Sequence, residues 1–594
     1  MSQLPPEDEA TAVLARYKAE RDRRIDSKGN AQYIDAAGSF GHYADHDPNA
    51  ARRVERDPVV ADVEVLIIGA GFSGILTAAR LSEVGITDVR IVDTASDFGG
   101  TWYWNRYPGV QCDIESWSYL PLLEETGYIP RHRYAFGDEI REYCQLLGER
   151  YDLYPKTSFQ TAVTNATWDE SAGRWQIETD RGDRFSARYF LLGVGRASRP
   201  KLPGIKGIER FKGHSFHSSR WDYAYTGGGI HDDLVGLADK RVAVIGTGAT
   251  GIQLIPRVAK TAKELHVFQR TPSSVGVRGN IPTDPEWFTA QPPGWQERRR
   301  SLFLEAVNGI TDDAEIRDGW TESGRVMRET APDTPETPEQ MGQRALLADI
   351  EVMNRRRARV DSFVSDPETA DKLKAWYALF CKRPTFNDEF LPAFNQPNVT
   401  LVDVSGDNGI SEITETGVVA GGKAYDVDLI IYASGFQILG SLQQRICFSI
   451  KGRDGLELTD HWSDGMRTLH GLTVHNFPNW FYVGQGQNAI AANYTTTIDD
   501  QAKHIAYILS TARDRGMSVI EPTAEAEEAW IAEIRSGSTQ AAGFYANCTP
   551  GYYNNEGGEG VTIWDESYSA GPVAFNALMR QWREEGSMAG LALR

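Results

Sequence analysis

The hydrophobic positions of the chain fall in short runs separated by glycine, proline and polar residues. Val63-Glu64-Val65-Leu66-Ile67-Ile68 is one such run, and it predicts a parallel strand buried on both faces. A glycine turn follows, then a helix running toward Val84, then a second strand at Val89-Arg90-Ile91-Val92-Asp93. This is the spacing of a βαβ unit. The pattern restarts at Arg241-Val242-Ala243-Val244-Ile245, and a strand-like run from Val427 to Ala433 resumes it. Between Glu286 and Trp376 the chain is charged and helix-prone, with Pro and Gly interruptions, which predicts an inserted helical region. Ahead of the first strand, Glu7 to Arg24 predicts a helix with Val13, Leu14 and Tyr17 on one side. Docking on the protein's own surface is the expectation for it, ahead of a partner or a membrane.

Both βαβ patterns carry a glycine motif where a nucleotide would need one. The first is Gly69-Ala70-Gly71-Phe72-Ser73-Gly74. Gly69 allows the tight turn, Gly71 lets backbone approach a pyrophosphate, and Gly74 lets the helix pack close. The helix N-terminus offers free N–H groups and a positive dipole end to the phosphates. An acid, Asp93, stands about 20 residues on, as the dinucleotide fingerprint requires. A carboxylate there accepts from ribose hydroxyls and repels a 2′-phosphate, so the site suits FAD or NAD. The second motif is Gly246-Thr247-Gly248-Ala249-Thr250-Gly251. Here the following strand, His266-Val267-Phe268, ends at Gln269-Arg270-Thr271-Pro272, and arginine replaces the acid. A guanidinium fork holds a 2′-phosphate bidentately and the Thr271 hydroxyl adds a bond, so this site suits NADP. An FAD-type and an NADP-type site on one chain imply hydride transfer from NADPH to flavin.

Composition narrows what happens next. At 594 residues the chain is too long for one core, and the size prior is about three or four domains. A net charge of −20 argues against nucleic acid, so coenzyme phosphates must be met by local positive charge and backbone N–H groups. The five cysteines, Cys112, Cys144, Cys381, Cys447 and Cys548, include no CxxC pair. That speaks against a dithiol relay or a structural zinc site and leaves oxygen as the electron acceptor. Scattered cysteines and no visible signal peptide suggest a reducing cytoplasm. No apolar run reaches the roughly 18–20 residues needed to span a bilayer.

Between the two glycine motifs lies Phe211-Lys212-Gly213-His214-Ser215-Phe216-His217-Ser218-Ser219-Arg220-Trp221-Asp222. It fits FxGxxxHxxxW(P/D), and the chain thereby resembles the type I Baeyer–Villiger monooxygenases and related flavin monooxygenases. The resemblance continues through Gly99 to Asp113, at Lys382-Arg383-Pro384, through Asp428 to Phe436 and at Phe477-Pro478-Asn479. It spans roughly Val63 to Trp582. Ala433-Ser434-Gly435 stands where the family usually has Ala-Thr-Gly. Toward the C-terminus, where many members have a Trp-containing loop with a Pro-Gly-Lys element, this chain has Phe544 to Asn555, with Phe544 in the place of the tryptophan. The indole N–H that the family's tryptophan offers the cofactor ribose is therefore absent at this position. The loop and the long N-terminal extension resemble the branch that accepts large cyclic ketones.

The resemblance implies a C4a-peroxyflavin that attacks a ketone carbonyl, followed by migration of carbon to oxygen to give an ester or lactone. It matches Arg383 to the active-site arginine and Asp113 to the acid that positions it. A fixed cation that cannot give up its proton suits the stabilisation of a peroxy anion better than a lysine. Lys382 matches a contact to the NADP 2′-phosphate beside Arg270. Gly100, Thr101, Trp102, Trp104, Gln111, Asp113, Tyr119 and the backbone near Val163 are implied to line FAD. His217 is implied to couple domains rather than to act as a base. The implied fold is α/β, with two discontinuous Rossmann-like domains. An extension covers 1–62. FAD binds to 63–196 with 434–594, NADP to 197–279 with 381–433, and a helical insertion fills 280–380. The expected partners are a small-molecule ketone and oxygen, in a monomer or homodimer without nucleic acid or membrane. Two alternatives remain open: a flavin N- or S-oxygenase, whose oxidant is a protonated hydroperoxide, and a non-oxygenating NADPH:acceptor flavoreductase.

Overall fold

The computed structural model describes residues 3–50, 52–406, 409–438, 442–559 and 566–594. Its first sheet has eight strands, in the order Ser449–Lys451, Val163–Asp169, Arg174–Thr179, Arg184–Leu192, Val60–Ile68, Val89–Val92 and Thr157–Ser158, with Trp480–Tyr482 also paired to Arg184–Leu192. Val65, Leu66 and Ile67 are wholly buried, as a strand covered on both faces requires. Val60–Ile68 pairs in parallel with Val89–Val92 on one side and Arg184–Leu192 on the other. The turn at Gly69 therefore leaves the sheet where the chain's direction of winding reverses. The crevice at such a switch point is where open α/β sheets bind ligands.

The second sheet has five strands, all parallel, ordered Val399–Asp403, Glu264–Gln269, Arg241–Ile245, Leu429–Tyr432 and His214–His217. Arg241–Ile245 has neighbours on both sides, so Gly246 also sits at a switch point. The strands drawn from the hydrophobic runs are all present, and the helix after the first turn covers Phe72–Glu83. Not foreseen were the antiparallel strands between 163 and 192 and a separate three-stranded sheet over 410–426. Their alternation is too short and too polar to stand out from loop sequence.

Five helices, from Pro285–Thr289 to Pro367–Leu373, fill the expected insertion. Its two ends are tied together by a short parallel pairing of Val275 with Thr385 and Gly276 with Phe386. The N-terminal helix, Glu7–Asp22, lies on the chain's own surface. Ala10, Val13 and Tyr17 cluster with Ile350 of the insertion's long helix, and Leu14 faces outward. Tyr33–Asp35 then adds a strand to Lys201–Pro203. Two of the scattered cysteines are bonded to each other, Cys381 to Cys548, across 167 positions of sequence, a pairing that spacing alone does not reveal. Among the described residues no helix is long and apolar enough to cross a membrane.

Candidate active site

The glycines of the two motifs do different work in detail. A Cβ on Gly69 would fall 2.7 Å from the Gly193 carbonyl oxygen, and one on Gly246 would fall 2.6 Å from that of Ala433. Both residues have φ +111, so turn and close approach both demand glycine. Gly74 and Gly251 meet the carbonyls of Gly69 and Gly246, where a Cβ would sit at 1.9 and 2.4 Å. These contacts set how closely helix and strand pack. Gly248 faces open space, which leaves room for a pyrophosphate, whereas Gly71 faces Gly100, whose own Cβ would lie 2.7 Å from the Gly71 Cα. A side chain on either of these two would fill the crevice between the loops.

Asp93 accepts from the amides of Ala70 and Ala95 at 2.6 and 2.7 Å, one on each carboxylate oxygen. Each oxygen keeps a lone pair for a ribose hydroxyl. Trp102 donates from Nε1 to the Tyr119 hydroxyl at 3.0 Å, and Phe72 packs edge-on to the Tyr119 ring. The Trp104 ring lies under the Arg220 guanidinium, 3.9 Å from its Cζ. Thr101 is exposed, and Val163 is buried at the start of its strand. Ser73 is buried at the first turn of its helix. The amide of Gln111 donates to the Tyr134 carbonyl, and its oxygen accepts from Arg278 at 2.7 Å. These residues and the crevice fit an FAD with its pyrophosphate at the Gly69 turn.

Asp113 and Arg383, 270 positions apart, meet in a two-pronged pair: Nη2 to Oδ1 at 2.6 Å and Nε to Oδ2 at 3.3 Å. Several groups fix this geometry. Trp320, from the helical insertion, donates its indole N–H to the Asp113 carbonyl at 2.9 Å and lays its ring 4.9 Å from the Arg383 Cζ. Buried Arg278 bonds the Cys112 carbonyl and the Phe386 carbonyl, joining the two backbones that carry the pair. Burial alone would lower the Arg383 pKa, but the Asp113 carboxylate outweighs it and holds the guanidinium above its ordinary range. Arg383 is therefore a permanent cation.

At the second motif Arg270 follows the strand Glu264–Gln269 with its side chain 31% exposed, and the Thr271 hydroxyl is buried with no hydrogen-bond partner among the described residues. Thr247 bonds the Thr271 carbonyl at 3.2 Å. Lys382 donates to the Pro550 carbonyl at 2.5 Å; burial and the neighbouring Arg270 push it down to about 7. An orphaned hydroxyl next in sequence to Arg270 fits a phosphate. Ala249 and Thr250 precede the helix Gly251–Ala259. The sequence reading missed Lys201, Tyr33, Gln32 and Glu556 around Arg270, and Trp320 and Arg278 behind Arg383. None carries a motif, and each reaches the site from a distant segment.

His217 is buried and neutral, pushed down to about 3 by burial and Arg220. Its Nδ1 accepts from the Ser219 amide, so Nε2 carries the proton, which it donates to the Gly435 carbonyl at 3.0 Å. It ties the linker strand to the segment leaving the second sheet. The stretch expected as a loop from Phe544 begins two residues later, because Phe544 and Tyr545 end the helix Ala524–Tyr545. Phe544 is 42% exposed and Tyr545 is buried.

The flavin-binding monooxygenase-like family matches the chain over residues 62–281. A Baeyer-Villiger monooxygenase of Streptomyces coelicolor is 48% identical over 596 residues, covering 100% of this chain and 98% of its own length. The chain belongs to the Baeyer–Villiger monooxygenases. Neopentalenolactone D synthase of Streptomyces avermitilis is 47% identical, covering 98% of this chain and 99% of its own. Among solved structures, the polycyclic ketone monooxygenase of Thermothelomyces thermophila superposes with a TM-score of 0.90 at 38% identity, over 99% of this chain and 100% of that one. A steroid monooxygenase bound to NADP superposes with a TM-score of 0.74 at 30% identity, over 90% and 99%. As a Baeyer–Villiger monooxygenase, this enzyme uses FAD and NADP(H) and converts ketones to esters or lactones with oxygen.

Proposed function

We propose that this monooxygenase acts on bulky or large-ring cyclic ketones, with Arg383 and Asp113 as its oxygenation pair. The single observation that carries the assignment is the two-pronged contact between them. Bound FAD supplies the redox chemistry, taking a hydride from NADPH and passing electrons to oxygen. Arg383 presents a fixed positive charge to the negative charge that develops there, and it has no proton to give. Asp113 orients that charge and is itself oriented by Trp320 and Arg278. An electrophilic oxidant for amines or sulfides would need a proton held on it, which this pair does not provide.

Gly69, Gly71, Gly74, Asp93, Gly100, Trp102 and Tyr119 hold FAD in this reading. Arg270, Thr271 and Lys382 take the coenzyme's 2′-phosphate, with its pyrophosphate at Gly246 to Gly251. The domain limits at 196/197, 279/280, 380/381 and 433/434 and a monomer or homodimer belong to the same proposal; a cytoplasmic location is the expectation from scattered cysteines, and the Cys381–Cys548 disulfide runs against that premise. Support for large substrates comes from the relatives, whose names include polycyclic ketone and neopentalenolactone enzymes. The test is a panel of cyclic ketones of increasing ring size with one thioether, following NADPH use and lactone together. Coupled lactone formation should rise with ring size. Turnover of the thioether with every ketone untouched would overturn the assignment.

A further inference from the structure

A cavity of about 170 Å³ lies beside the first sheet. One water needs roughly 10–15 Å³, so the space suits part of a larger ligand. The sheet fixes where it is. Leu192 ends a strand that pairs in parallel with Ile68 on one side and Tyr482 on the other, so the chain leaves all three strands at one edge. Gly69 turns at that edge. Arg196 and Gln485, a few residues past Leu192 and Tyr482, line the cavity. Its apolar floor, with Leu442 and Met466, belongs to the same buried cluster as Ile68 and Leu192. The segment after Gln485 is tied to the flavin side too, because Asn493 and Thr495 donate to the carbonyls of Ser118 and Tyr119 at 2.8 and 2.5 Å. The cavity is a neighbour of the flavin crevice.

Two arginines line it without an acid of their own. Arg196 gives Nε and Nη2 to the Gln485 carbonyl at 3.1 and 2.6 Å. Arg445, on the short helix Leu442–Ile446, has buried Nε and Nη1 groups with no hydrogen-bond partner among the described residues. Both cations act on the buried hydroxyl of Tyr494, which puts them at one corner of the cavity. The acids in the wall are already taken. Glu457 accepts from Ser449 at 2.6 Å and pairs with Lys451 at 3.4 Å, and Glu566 accepts from the Met466 amide at 2.9 Å. Elsewhere the buried arginines Arg80, Arg299 and Arg300 each hold a carboxylate. The chain's net charge is −20, so open cations at this corner are not a general excess. A guanidinium taken out of water with open N–H groups is costly until an anion meets it. The coenzyme phosphates have their own donors at Gly69, at Gly246 to Gly251 and at Arg270, and none is left for Arg445.

We propose that the ketone substrate carries a carboxylate and that Arg445, backed by Arg196, binds it in this cavity. The claim rests on the reading of bulky cyclic ketones as substrates and narrows it to keto acids. The rings lie on the apolar floor, and the carboxylate meets the arginine in a charge-assisted hydrogen bond. A phosphate would bring about two charges, whereas one open arginine matches a monoanion. Anchoring the skeleton at a point away from the carbonyl holds it in one orientation at the flavin.

The test compares one fused-ring keto acid with its methyl ester, which keeps the skeleton and loses the charge. On FAD-loaded enzyme kcat/KM should favour the acid about tenfold to a hundredfold, with the difference in KM. The ring acid without its ketone should bind in calorimetry, and its methyl ester should bind at least about tenfold more weakly; this comparison needs neither turnover nor a variant. Arg445→Met should raise KM for the keto acid at least about tenfold more than for the ester, and Arg445→Lys should restore part of that difference. Equal KM for acid and ester in the wild-type enzyme, or equal binding of the two ketone-free analogues, overturns the proposal and leaves the bulky-ketone reading standing. Turnover of a thioether with both ketones untouched defeats the reading on which the proposal rests.

Discussion

Replacing Asp113 by asparagine removes one charge and almost no volume, so its effect isolates what the carboxylate does for Arg383. The pair makes one short contact of 2.6 Å and one longer contact of 3.3 Å. A hydrogen bond to a charged group is worth about 1.5–3 kcal/mol when buried. Here the arginine side chain is 35% exposed and the aspartate 10%, so water recovers part of the loss. The stability cost should be about 1–2 kcal/mol, between exposed and fully buried pairs. The kinetic cost should be larger. An amide can accept only one of the two N–H groups, the guanidinium can swing over the Trp320 ring, and a displacement near 1 Å costs about a hundredfold in rate. Reduction of FAD by NADPH does not pass through this pair. Anaerobic stopped-flow should therefore show flavin bleaching near the wild-type rate. In air, lactone per NADPH should collapse and hydrogen peroxide should rise to replace it. Wild-type coupling in Asp113→Asn would refute the reasoning, as would a loss of reduction in step with oxygenation.

Three further outcomes are expected. Denatured enzyme alkylated without reductant should label Cys112, Cys144 and Cys447 only, and all five cysteines after reduction; five labels at the outset would mean that Cys381–Cys548 is open. Lys382, held down to about 7 by burial and Arg270, is charged below that pH and neutral above it. NADP⁺ affinity should therefore fall as pH rises through 7, and Lys382→Met should flatten that limb in titrations over about pH 6 to 9. For stability the sign is the reverse: the unfolded chain holds this proton up to the ordinary lysine value of 10.5, so the residue's contribution rises with pH between the two values. Tyr17→Ala removes a buried ring packed under Arg357 and should cost about 2–4 kcal/mol, seen as a lower melting temperature. NADP⁺ binding should weaken with it, because the same extension delivers Arg24 and Gln32 to Arg270. An unchanged melting temperature would mean that the N-terminal helix is not held as described.

What the chain shows along its length is local. The glycine motifs, the strands that precede them and the choice of Asp93 or Arg270 at the next strand end are written within windows of about 20–30 residues, because a βαβ unit is that long. Two nucleotide sites of different preference therefore stand in the sequence itself, and so does the His217 pattern between them. The strands themselves follow from hydrophobic runs too apolar to be anything but buried, whereas the pairings that place both glycine turns at switch points are seen only in the fold.

The catalytic geometry is a different matter. Asp113 and Arg383 were matched one residue at a time, but nothing in their spacing says that they touch, how they share two N–H groups, or that Trp320 and Arg278 hold them. The surroundings of Arg270 are less legible still. Arg24, Gln32, Tyr33, Lys201 and Glu556 converge from three segments, and Cys381 meets Cys548 across most of the second half of the chain. Each is an ordinary polar residue in its own stretch. A buried charge is stable only with its partners around it, and partners far apart in sequence are brought together by packing alone. The sequence determined which cofactors the chain is built for, and only the tertiary structure decided which residues surround Arg270 and Arg383.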